Sequence, residues 1–171
     1  MEKMFKAISL IVILSLFVVG CGSSGSTKID ILYAPNIWFD NSPKDLEKEY
    51  GREADNITDS QTGGKCYAYN YSGALNKENA RVQFAYDEND KMCYMDWDYQ
   101  CADYDDYIAT LDELKKKLDI VHGSAESESD EAYSWEDEGV GINLFGIDGG
   151  MIQVIHCTYY SPDYLKILAE K

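Results

Sequence analysis

The side chains in this sequence that could do chemistry are mostly carboxylates. Asp96, Asp98, Asp103, Asp105 and Asp106 fall in one short stretch. Residues two apart on a strand share a face, so Asp96 and Asp98 point the same way. With Asp103 they could offer oxygen ligands to Ca²⁺. A pair of such acids in a cleft could instead serve as the acid and base of a hydrolase. Asp87-Glu88-Asn89-Asp90 begins like a calcium loop, but Met92 stands where the loop needs Gly and Asp98 where it needs Glu. A solvated turn and the approach to a helix explain these acids better.

Other chemistry is thinner. His156 and Cys157 are adjacent, yet neighbours in a strand face opposite ways and cannot act as base and nucleophile together. Cys66, Cys93, Cys101 and Cys157 form no Cys-x-x-Cys pair, and only His122 and His156 could join them, which supports zinc poorly. In an exported chain these four cysteines permit two disulfides with three connectivities. Gly146, Gly149 and Gly150 lack the spacing and the lysine of a phosphate loop. The expectation is therefore no catalytic set, no cofactor and no metal.

Composition narrows the partners. The chain has 171 residues, with 31 acids against 15 bases and a formal charge of −16. Phosphate binding needs Lys and Arg to displace counterions, so nucleic acid is excluded. A disordered acidic tail would not carry 14 Tyr, 3 Trp and 5 Phe. Such a surface favours a basic protein, a cationic peptide or divalent cations.

The start of the chain reads as an address. Lys3 and Lys6 precede the apolar run Ala7–Val19, which is shorter than the roughly 20 residues of a spanning helix. Val18-Val19-Gly20-Cys21 closes it and resembles the lipobox of bacterial lipoproteins. The resemblance implies cleavage after Gly20 and a diacylglyceryl group on the Cys21 thiol. Two acyl chains, at about 0.8 kcal/mol per buried methylene, would anchor the chain stably. Residues 1–20 are then a signal peptide, and 21–27, Cys-Gly-Ser-Ser-Gly-Ser-Thr, begin with the lipidated Cys and form a flexible tether. Gly22 stands where an Asp would mark retention at an inner membrane. The expected location is the outside of the cell membrane or the outer membrane.

Residues 28–171 read as one α+β domain. Ser42-Pro43 starts a helix that Gly51 stops. Arg52–Lys65 reads as a polar loop. Cys66–Tyr71, Arg81–Tyr86 and Met92–Trp97 alternate as strands. The same order recurs. Tyr104, Tyr107, Ile108, Leu111, Leu114 and Leu118 are spaced as a helical stripe, with Thr110-x-x-Glu113 suggesting a restart at Leu111. An acidic loop over Ser124–Glu131 and strands at Ala132–Trp135, Val140–Phe145 and Met151–Tyr159 follow. Ser161-Pro162 then opens a short C-terminal helix. The prediction is two tandem halves, about 40–101 and 102–160, each a helix plus a three-stranded antiparallel sheet. Leu46 matches Leu114, Gly51 matches Gly123 and Tyr69 matches Trp135.

This order of elements is similar to envelope proteins built of tandem helix-plus-antiparallel-sheet modules, the beta-lactamase inhibitory protein type among them. The resemblance implies a sheet face that binds another protein without catalysis. The row Tyr67, Tyr69 and Tyr71, with Trp97 and Trp135, is the aromatic surface that could meet it. The expected function is a lipid-anchored, non-enzymatic binder of the inhibitor, immunity or assembly kind. A small-ligand or Ca²⁺-binding lipoprotein and an envelope hydrolase are the alternatives.

Overall fold

The computed structural model describes residues 39–70, 77, 80–129 and 131–169. Cys21, the tether and Tyr71 lie outside them. Ser42 starts α1 (Pro43–Tyr50), its backbone N–H donating to the Asp45 carboxylate at 2.9 Å. The chain then makes β1 (Asn56–Asp59), β2 (Gly63–Asn70), β3 (Ala80–Asp87) and β4 (Met92–Gln100). The second half repeats the plan. It runs α2 (Tyr104–His122), β5 (Ser127–Ser129), β6 (Ala132–Asp137), β7 (Val140–Asp148) and β8 (Gln153–Tyr160), and α3 (Pro162–Ala169) closes the chain.

The eight strands of the described residues join one antiparallel sheet in the order β1-β2-β3-β4-β8-β7-β6-β5. Each half is a meander, and the last strands of the two halves, β4 and β8, meet in the middle. Each half thus has four strands, one more than the pattern predicts. The additions are the outer edges, β1 in the segment read as a polar loop and β5 in the acidic loop. Asn56-Ile57-Thr58-Asp59 is exposed at every position, so no buried face imprinted a period of two on it. Short, polar outer strands also discourage pairing with other chains.

One face of the sheet is the core. Along β7, buried Val140, Ile142 and Leu144 alternate with half-buried Gly141, Asn143 and Phe145. Val82, Phe84, Met95, Trp97, Cys157 and Tyr159 lie on the buried side. α1 covers the first half, stacking Tyr50 on Tyr69 at 4.1 Å, with Leu46 fully buried. α2 covers the second half through Tyr107, Leu111, Leu114 and Leu118. It is continuous rather than restarting at Leu111. Asp103 caps it by accepting from the Asp106 N–H at 2.8 Å, and Thr110 donates to Asp106 instead of opening a new helix.

Asp106 fastens the start of α2 to the end of β4. It accepts from Lys77 at 2.7 Å, Tyr99 at 2.5 Å and the Ala102 N–H at 3.0 Å. Burial alone would raise its pKa, but these donors outweigh burial and hold the carboxyl well below its usual range. α3 crosses to the opposite face, where Tyr164 packs beside Tyr94 and Tyr160. Leu165 lies so close over Gly141 that a Cβ there would sit 2.9 Å from it.

Cys66, Cys93, Cys101 and Cys157 are buried free thiols, so none of the disulfides that their number permits is formed. The strands hold them apart: Cys66 stands opposite Ala85, and Cys157 lies between Trp97 and Leu144. Burial raises the Cys66, Cys93 and Cys157 thiols and pushes Cys101 up to about 11, away from the reactive thiolate.

Candidate functional site on the open face of the sheet

A sheet packed on one side presents its alternate residues on the other. α3 covers one end of that second face, over Tyr94 and Tyr160, and the rest carries polar side chains in register. Arg81, Asp98, His156, Phe145 and Ala132 form one row across β3, β4, β8, β7 and β6. Gln83, Asp96, Thr158, Asn143 and Ser134 form the next. Here sits the acid pair whose period-two spacing marked Asp96 and Asp98 as sharing a face.

Both carboxylates are partnered from neighbouring strands. Asp98 accepts from Arg81 Nε at 3.0 Å and from Gln83 Nε2 at 2.8 Å. Asp96 accepts from Thr158 Oγ1 at 2.6 Å, and its other oxygen is 3.1 Å from His156 Nδ1. The imidazole stacks on Phe145 with centroids 4.9 Å apart and planes 16° from parallel. The edge of this surface opens into a pocket of about 260 Å³ lined by Tyr133, Ser134, Asn143 and Phe145 among others.

The hydrogen bond to Asp96 raises the pKa of His156. Burial opposes it, the charges of Asp96 and Asp98 reinforce it, and Arg81 works against it. A histidine whose folded pKa is raised adds stability that is fully present below its unfolded value, about 6.5, and that fades as pH climbs through the folded value. The wild-type chain is therefore expected to lose stability in urea titrations as pH rises above about 6.5. Asp96→Asn should flatten that segment of the pH profile, and an unchanged slope would contradict the pairing.

The geometry does not assemble the calcium site considered from the sequence. Asp103 caps α2 on the helical side of the sheet, away from Asp96 and Asp98. Among the described residues no group of three or more His, Cys, Asp or Glu side chains could hold a metal ion. Cys66, on the same face, contacts Gln83 Oε1 at 3.8 Å, and Cys157 points into the core.

The aromatic face moves as well. Tyr69 and Trp97 are 0 % exposed and Trp135 is 3 % exposed, all beneath the helices. Trp135 Nε1 donates to the Gly123 carbonyl at 3.0 Å and to Asp119 at 3.2 Å. Tyr67 is partly buried, edge-on to Tyr86 at 5.6 Å. These residues are packing, not a docking surface: period two located a face correctly, but it is the face that α1 and α2 cover. The residues that do face outward, Arg81, Gln83, Asn143 and His156, were legible as the other phase of the same alternation.

The chain matches no protein-family model, no curated protein and no solved structure.

Proposed function

We propose that this chain is a lipid-anchored protein of the cell envelope that binds another protein through the open face of its sheet and performs no catalysis. One observation carries the reading. The uncovered face holds a mutually paired set of donors and acceptors, Arg81 with Asp98 and His156 with Asp96, bordered by Phe145 and an open pocket. Interfaces of this kind combine an aromatic anchor with polar groups held by their neighbours, which limits the entropy lost on docking. The acid pairs are engaged by Arg, Gln, Thr and His rather than left facing each other across a cleft, which favours recognition over glycoside-type hydrolysis. The lipobox at Val18-Val19-Gly20-Cys21 supports the anchor and the extracytoplasmic location. Net negative charge supports a protein partner of basic character.

Two arginines introduced on the open face would block it without touching the ion pairs. Immobilised full chain passed over envelope extract is expected to retain a discrete protein. The Ser134→Arg/Asn143→Arg variant is expected to retain about tenfold less or weaker, with an unchanged melting temperature. Equal retention by the folded double variant would exclude this face.

A further inference from the structure

α3 lies on the open face without being built into the core. None of its eight residues, Pro162–Ala169, is buried. Tyr164 and Leu165 are half-buried against Tyr94, Tyr160 and Gly141. Ile167 and Leu168 stay in water, 48 % and 41 % exposed. Lys91 pairs with Asp163 across to the sheet, but both side chains are exposed and such pairs contribute little. A helix this short is marginal without packing.

The chain is secured just before this helix. Ser161 is buried, and its N–H donates to the Cys93 carbonyl at 2.9 Å. Its hydroxyl accepts from the Tyr164 N–H at 3.2 Å and its carbonyl from the Leu165 N–H at 3.0 Å. A fixed hinge thus carries a loosely held helix.

What α3 covers continues the binding face. Tyr94, Tyr160, Gly141 and Glu136 form a row across β4, β8, β7 and β6. It adjoins the row of Asp96, Thr158, Asn143 and Ser134. Thr158 and Asn143 lie within hydrogen-bonding reach of the Tyr160 hydroxyl. The Tyr94 and Tyr160 rings are 6.1 Å apart. Tyrosine is a side chain that protein interfaces favour at their centres, and here a pair of them sits under the helix.

We infer that α3 is a displaceable cover: the protein that meets the open face lifts α3 about Ser161 and docks on Tyr94 and Tyr160 as well. This rests on the reading that the open face binds a protein. Lifting α3 leaves the core under α1 and α2 intact, since no α3 residue belongs to it. The chain then binds with an affinity reduced by the fraction of molecules in which α3 is off.

The test uses the full chain in two measurements. Hydrogen exchange read by mass spectrometry reports on the cover itself. The amides of Leu165–Leu168 are expected to exchange at least about a hundredfold faster than those of Leu114–Leu118 in α2, at a rate that low urea leaves unchanged. Leu165→Ser should speed α3 alone, as should Gly141→Ala, whose Cβ would lie 2.9 Å from Leu165. The second measurement couples the cover to the face, with a benzophenone side chain at Asn143 photo-crosslinked in envelope extract. Leu165→Ser is expected to raise the adduct yield about threefold. Lys91→Cys/Asp163→Cys bridged by a bismaleimide, the thiols of Cys66, Cys93, Cys101 and Cys157 being buried, should lower it about tenfold, and the unbridged variant should not. Protection of α3 equal to that of α2 would overturn the inference. So would equal adduct yields from wild-type, Leu165→Ser and bridged chains, with the open face then standing and α3 a fixed part of it. No adduct from any form, with α3 exchanging fast, would overturn the open face and the cover with it.

Discussion

Trp97→Ala is expected to cost about 3–5 kcal/mol of folding stability, the usual range for emptying a buried tryptophan site. Trp97 is fully buried on β4, opposite Val82 on β3 and Cys157 on β8. It therefore stands where the two halves of the sheet join, and its ring stacks on Tyr99 at 5.9 Å. The cavity would open at the seam rather than inside one half. Its indole N–H has no partner among the described residues, so Trp97→Phe loses volume but no hydrogen bond. That variant should cost less than half as much. Urea denaturation of the two variants checks this, and the Ala variant should unfold in one transition at a lower midpoint. A small loss in Trp97→Ala, with partner retention abolished, would return Trp97 to the role of a surface contact.

Gly146→Ala is expected to destabilise by about 3 kcal/mol, at the upper end of overpacking effects. A Cβ at Gly146 would lie 2.0 Å from the Tyr107 hydroxyl and 2.6 Å from the ring. Tyr107 is fully buried and anchors α2 on β7, so the ring cannot swing away without lifting the helix start. The effect should therefore depend on Tyr107. In a Tyr107→Ala background, itself destabilised, the same glycine change should cost under about 1 kcal/mol, because the clash has been removed. Thermal unfolding of the four proteins in this cycle measures the coupling. Equal costs in both backgrounds would mean that α2 is held by something other than this contact.

The doubled plan was legible because each half repeats the same burial problem. Leu46 and Leu114 are both fully buried on their helices, Gly51 and Gly123 both follow a helix, and Tyr69 and Trp135 both lie under one. Apolar spacing reports such faces directly. β1 and β5 left no comparable trace, since an exposed edge strand needs only backbone partners. The continuity of α2 was obscured by Thr110 and Glu113, whose spacing imitates a cap, while Asp103 does the capping. The open face was half legible. Asp96 and Asp98 stood out by type and spacing, but their partners Arg81, Gln83, His156 and Thr158 come from β3 and β8. Only the strand order brings those residues to the same place. The aromatic row marked a face without saying which side of the sheet it was, because alternation fixes two phases and burial chooses between them.

The central claim is that the uncovered face of the sheet is where this protein meets its partner. Site-specific photo-crosslinking in the native cell tests it most directly, with a benzophenone side chain at Asn143 on that face and, separately, at exposed Ile120 on α2. The account predicts a discrete protein adduct from Asn143 and none of the same mass from Ile120. No adduct from Asn143, or the same adduct from both positions, would contradict it.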